Sequence, residues 1–200
     1  MLRSRRKLIL VLLLVAIAVV VVPPGVGQRM ADLQYDNEGR MLFPKDYRGW
    51  AFVTSGLGMA YGPAATVDSA GNPRFDNVFV NPAAYRSFLE SGAWPDRTVL
   101  ILEIRGSDSK ASINRGGHFQ TGVAAIEAHV KDNARGGWAF YAFPNGAAES
   151  KMIPRTADCY SCHEQNGAVD TTFVQFYPTL VDIARQKGTL KPGTGRSTEK

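Results

Sequence analysis

The chain has 200 residues, 44% of them hydrophobic and 20% charged, with 20 glycines and two cysteines. That composition excludes a disordered polymer, a collagen-like repeat and a disulfide-stapled miniprotein. The formal charge of +5 excludes less than it suggests: residues 1–27 hold four basic side chains and no acidic one, which leaves +1 on the rest and no case for nucleic acid as a partner.

The N-terminus reads MLRSRRKLILVLLLVAIAVVVVPPGVGQ, with Arg3, Arg5, Arg6 and Lys7 ahead of an unbroken apolar run from Leu8 to Val22. Charge followed by apolar residues is the order of an export signal. The run of fifteen residues falls short of the roughly 20 that a spanning helix needs. Residues 1–27 are therefore expected to be a signal peptide or, since GVGQ lacks an Ala-x-Ala site, an uncleaved N-terminal anchor. Either way the folded part is exported.

Residues 28–186 amount to one domain without an internal repeat or linker. GWAFVTS and DNVFVN read as strands. NPAAYRSFLESG reads as a short helix, with Asn81 at the N-cap, Pro82 in the first turn, Tyr85, Phe88 and Leu89 on one face and Gly92 past its end. TVLILEIR, GVAAIEAHVKD and GWAFYAF are β-branched or aromatic and bounded by Gly, Asp and Asn, which predicts a five-stranded, mostly antiparallel sheet. DTTFVQFYPTLVDIARQKG predicts a helix from Thr171 to Arg185, with Phe173, Phe176, Tyr177, Leu180 and Ala184 on its apolar face and a kink or break at Pro178. Residues 187–200 show no apolar periodicity and are expected to form a flexible tail. The fold class is α+β: a mainly antiparallel sheet domain with a few helices. Trp50, Trp138 and Tyr141 are expected as core packing.

Between the last strand and the last helix lies DCYSCHEQNG, which holds both cysteines and one of the three histidines. Cys159 and Cys162 are three apart, so on a helical turn both sulfurs point the same way, with the His163 imidazole beside them. C-x-x-C-H is the pattern of covalent haem attachment, in which each thiol adds to a vinyl group and the histidine binds iron from the proximal side. Two vinyl positions on one edge of the macrocycle and an iron at its centre must be met by one short segment, and this spacing meets them. The competing readings fit less well. A thioredoxin-like pair belongs near the start of a βαβ unit; zinc would have to recruit a distant His118 or His129 or a carboxylate; a disulfide would leave His163 without a role. One covalently attached haem c is the expected cofactor.

The far face of the iron stays open at this point. A methionine or histidine there makes a closed electron carrier, whereas an empty position binds or transforms a small ligand. His118, His129, Met59 and Met152 are the internal groups able to close it. His129 stands in an alternating stretch beside Lys131 and is expected to face solvent or the domain edge.

The segments MLFPKDYRGWAFV, FDNVFVNPAAYRSFLESGAWPDRTVLILE, EAHVKDNARGGWAFYAF and CYSCHEQNGAVDTTFVQFYPTL together resemble the cytochrome P-460 family, which includes the cytochromes c′-beta, in the same order from Leu33 to Ala184. The resemblance implies a mainly antiparallel sheet domain with one five-coordinate c-type haem, often dimeric, exported to the periplasm of Gram-negative bacteria. Members that oxidise hydroxylamine carry a lysine cross-linked to the haem, in a strand directly before a glutamate. The matching position, before Glu103, is Leu102, which has no nitrogen to bond the porphyrin, and Lys110 lies in a polar loop beyond the strand. The family's distal carboxylate falls on Glu127, whose strand phase is opposite to that of Ile126, Ala128 and Val130. It reads either as a solvent-facing glutamate or as a pocket residue that relays protons.

Without the lysine, the closer analogue is the c′-beta type, whose apolar distal face admits nitric oxide. Phe75 and Phe79 are candidate walls of that pocket, and Leu102 extends the same surface with Leu100 and Ile104. The expected function is binding of nitric oxide or a related nitrogen-oxide ligand at a five-coordinate haem. The alternatives are a hydroxylamine or nitric oxide oxidoreductase using Glu127, and a six-coordinate electron-transfer cytochrome. A redox partner of unassigned identity is expected, and a homodimer on resemblance alone.

Overall fold

The computed structural model describes residues 33–60 and 67–194; the expected export segment and residues 195–200 lie outside them. The elements run β1 (Met41–Leu42), β2 (Ala51–Leu57), β3 (Phe75–Val80), α1 (Pro82–Ser91), β4 (Val99–Asp108), β5 (Phe119–Asp132), β6 (Gly137–Ala142), β7 (Glu149–Ser150), α2 (Asp158–Asn166) and α3 (Val181–Lys187). Strands β2 to β6, rich in β-branched and aromatic residues, form one five-stranded antiparallel sheet in chain order, as the sequence predicts. β1 and β7 pair separately; two residues each are too few to show alternation in a sequence.

Because successive strand residues point to opposite faces, the sheet carries two cores. On one face Ile101, Ile126, Val130 and Tyr141 pack against Leu33, Met41, Tyr47 and Trp50 from the N-terminal segment. On the other, Val53, Val80 and Leu100 meet Ala84 and Phe88 of α1, then Trp94, Leu180 and Ala184. The buried carboxylate of Glu103 lies on the first face. It accepts hydrogen bonds from the Tyr47 hydroxyl, from Arg48 Nε at 2.9 Å and from Arg105 Nε at 2.8 Å, and so ties the short 3-10 turn Tyr47–Gly49 to β4.

Three expectations need correction. Asn81 occupies the N-cap position of α1 but does not cap it: its Oδ1 accepts the Val99 N–H at 2.9 Å and its Nδ2 donates to the Arg97 carbonyl at 3.3 Å, fastening the helix start to β4. The helix expected over 171–185 is shorter than expected and is broken at Pro178, as that proline led us to expect: a 3-10 turn, Val174–Phe176, precedes it and α3 follows, because Pro178 has no N–H to continue a helix. The tail is seated as far as Thr194. Thr189 Oγ1 donates to the Gly92 carbonyl at 2.6 Å, and Lys191 donates from its N–H to Ala168 at 2.8 Å and from Nζ to Glu164 at 2.9 Å. Among the described residues no helix is long and apolar enough to cross a membrane.

Candidate functional site

Helix α2 carries Cys159, Cys162 and His163, and both thiols are free and half-buried. No side chain of α2 is fully buried. The helix is held instead by Tyr160, whose hydroxyl donates to the Ile153 carbonyl at 2.9 Å and accepts the Phe140 N–H at 3.3 Å. It ends at Gly167, where the chain folds back so closely that a Cβ would lie 2.6 Å from the Thr171 carbonyl carbon and 2.7 Å from the His163 oxygen. That approach delivers the Thr171 carbonyl to within 2.8 Å of His163 Nδ1. A carbonyl only accepts, so Nδ1 carries the hydrogen and Nε2 keeps a free lone pair. Burial pushes the His163 pKa down, against an opposing pull from Thr171, so the ring is neutral and fit to ligate.

His129 is not at the domain edge. It is 9% exposed, stacked on Phe140 with centroids 4.1 Å apart, beside Trp138 at 4.4 Å and edge-on to His163 at 4.9 Å. Its Nε2 lies 3.1 Å from Thr171 Oγ1. Burial first, and His163 second, hold its pKa well below the usual histidine range. Lys131 misleads as a marker of solvent, because it reaches over the Trp138 ring and donates to the Trp94 carbonyl and to Asp170.

A cavity of about 860 Å³ opens between this assembly and the sheet. Its sheet wall is Leu100, Leu102 and Ile104 of β4, Asp76 and Val78 of β3, and Glu127 and His129 of β5. His163, Phe173 and Tyr177 also line it, as do Pro192, Gly193 and Thr194 of the seated tail. Leu102 and Glu127 are cross-strand partners. Phe75 and Phe79 do not line the cavity. They alternate with Asp76 and Val78 and so point the other way, Phe79 packing edge-to-face on Tyr47 at 5.5 Å.

Asp76 takes the place in the cavity that the sequence reading assigned to an aromatic. Burial raises its pKa, Arg74 opposes this and Glu127 adds to it, leaving the carboxyl at about 6. Glu127 is exposed by surface area, toward the open cavity, and partial desolvation by the atoms around it raises its carboxyl above the ordinary glutamate range. The signal for Asp76 was its shared phase with Val78, legible only once Val78 is known to pair with Leu102. Of the four groups able to close an iron, Met59 and His129 line the cavity. His118 sits by Ser107 Oγ at 3.4 Å and Met152 bridges Tyr141, both away from it. Lys110 lies outside it as well.

These residues fit a haem. The volume falls in the roughly 300–1,000 Å³ range of cofactor sites and the sheet wall is largely aliphatic; the oriented imidazole of His163 lines the cavity, and the half-buried thiols of Cys159 and Cys162 stand on the same helix without lining it. Among the described residues no group of three or more His, Cys, Asp and Glu is arranged to hold a bare metal ion, so the zinc reading finds no ligand set there. No curated protein matches the chain. A family model described as Cytochrome P460 matches residues 44–174, a span that contains the five-stranded sheet, α2 and the turn behind it.

Proposed function

The chain belongs to the cytochrome P460 family of haem cytochromes, and from that premise we propose that it is an exported monohaem c-type cytochrome that binds nitric oxide or a related small nitrogen-oxide ligand. The observation that carries the reading is the 2.8 Å contact of His163 Nδ1 with the Thr171 carbonyl, which leaves the Nε2 lone pair free and would let it bind the iron. Cys159 and Cys162 would hold the macrocycle as thioethers. The haem supplies the iron at which the small ligand sits.

The chain's own residues favour an open position there. His129 stands edge-on at 4.9 Å from His163, which leaves no room for an iron and its macrocycle between the two rings. Its Nε2 is engaged with Thr171 besides. The aliphatic wall of Val78, Leu100, Leu102 and Ile104 favours a small uncharged ligand over hydroxide or a charged one. Leu102 has no nitrogen for a cross-link. The paired carboxyls of Asp76 and Glu127 support a second reading, oxidoreduction of hydroxylamine or nitric oxide, in which they hand protons to or from the ligand. Periplasmic export rests on residues 1–27; a homodimer and a redox partner rest on the family resemblance.

The test is the optical spectrum of protein matured with c-type haem attachment, ferric and ferrous, with and without nitric oxide. A high-spin ferric spectrum that shifts on adding nitric oxide is expected. A low-spin spectrum indifferent to nitric oxide, turning high-spin in Met59→Leu, would replace the proposal with a six-coordinate electron carrier. Steady turnover of hydroxylamine that falls in Glu127→Gln at unchanged haem content would favour the second reading.

A further inference from the structure

The turn after α2 is fastened to the rest of the protein through three consecutive side chains. Asp170, in the left-handed region at φ 50, pairs with Lys131 Nζ at 3.0 Å. Thr171 Oγ1 meets His129 Nε2 at 3.1 Å. Thr172 Oγ1 accepts the Trp94 Nε1–H at 2.8 Å and donates to the Val169 carbonyl at 2.7 Å. His129 and Lys131 are two apart on β5 and therefore share one face of it. Thr171 is the centre of this arrangement, because its carbonyl holds His163 while its hydroxyl is held by His129.

A buried imidazole is costly where an apolar side chain would fill the same space. The surroundings of His129, Phe140 and Trp138, would accept a leucine. The hydrogen bond of its Nε2 goes to the one residue whose carbonyl orients His163. We propose that His129 is a positioning residue for the proximal ligand, acting through Thr171 to fix the carbonyl that accepts from His163. The inference rests on the reading that His163 binds the haem iron. A firmly placed acceptor strengthens the Nδ1–H hydrogen bond, makes Nε2 a stronger donor to iron and so favours the ferric state.

The experiment compares wild type with His129→Leu, Thr171→Val and Thr171→Ser in the full haem-loaded chain. It reads the ferrous iron–histidine stretching frequency by resonance Raman and the reduction potential. His129→Leu and Thr171→Val should both lower the frequency and raise the potential. A net hydrogen bond is worth up to about tenfold in an equilibrium constant, which for one electron is about 59 mV. The double variant should move no further than either single one, and Thr171→Ser, which keeps the hydroxyl, should stay at the wild-type values. Should His129→Leu not fold, Thr171→Val carries the test, since it keeps the backbone carbonyl and the β-branched shape. Variants that melt at lower temperature with frequency and potential unchanged would make His129 a packing residue and overturn the inference, as would loss of haem from both. A wild type with no iron–histidine band would instead remove His163 as the ligand, and the inference with it.

Discussion

Asp76 and Glu127 approach the same cavity from the two strands that flank β4, Asp76 in register with Ile104 and Glu127 with Leu102. Asp76 is held at about 6 against an ordinary 3.8 because burial disfavours its charged form. A raised carboxyl stabilises the fold only while it is protonated; that contribution is complete below about 3.8 and is lost as pH rises through about 6. Asp76→Asn is therefore expected to raise the melting temperature by a few degrees at pH 7.5, about what 1 kcal/mol gives in a chain of this size, with the gap closing below pH 4. Thermal melts across that pH range check it. At this scale the grouping of Cys159, Cys162 and His163 was legible because C-x-x-C-H is a local pattern on one helical turn, and the separate face of Glu127 was legible from strand phase. Phe75 and His129 were misjudged for physical reasons. Choosing between Phe75 and its neighbour Asp76 needs the absolute phase of β3 against β4, which a single strand does not contain. A lysine two residues from His129 is amphipathic and covers a ring instead of marking water.

The junction from α2 into the following turn depends on Gly167, whose φ of −66 is ordinary for any residue. Space makes glycine necessary there, since the atoms a Cβ would meet at 2.6 and 2.7 Å belong to backbone and cannot swing aside. Gly167→Ala should cost about 1–3 kcal/mol and push Thr171 away from His163. The expected outcome is a melting temperature lower by several degrees together with an altered haem spectrum, read by a thermal melt and an optical scan of the same sample. The five long strands were legible from their β-branched and aromatic content. The helix expected over 171–185 is interrupted at Pro178, where a kink or break was expected: Tyr177, Leu180 and Ala184 do share one core, whereas Phe173 and Phe176 belong to the 3-10 turn region and line the cavity. The seated tail was illegible because its hold comes mostly from backbone and long polar side chains, which leave no periodic trace.

At the scale of the whole molecule, one sheet separates a wholly structural core from the face that builds the cavity. The structural side relies on Glu103, whose carboxyl burial would raise but which the Tyr47 hydroxyl, Arg105 and Arg48 hold at about 2 against an ordinary 4.5. A depressed carboxyl stabilises the fold fully above about 4.5, and that contribution is lost as pH falls toward 2. Glu103→Gln should lower stability by roughly 1–3 kcal/mol at pH 7 and flatten the acid dependence between those limits, as urea midpoints measured against pH will read. The sequence marked Glu103 only as the neighbour of Leu102, since Tyr47 and Arg48 are 56 and 55 residues upstream. The other side of the sheet is assembled differently. Because α2 buries no side chain completely and keeps both thiols half-exposed, Cys159 and Cys162 remain within reach of a reagent after the sheet has closed. Chemistry performed on those two thiols, such as the haem attachment proposed above, would therefore require no unfolding of the sheet.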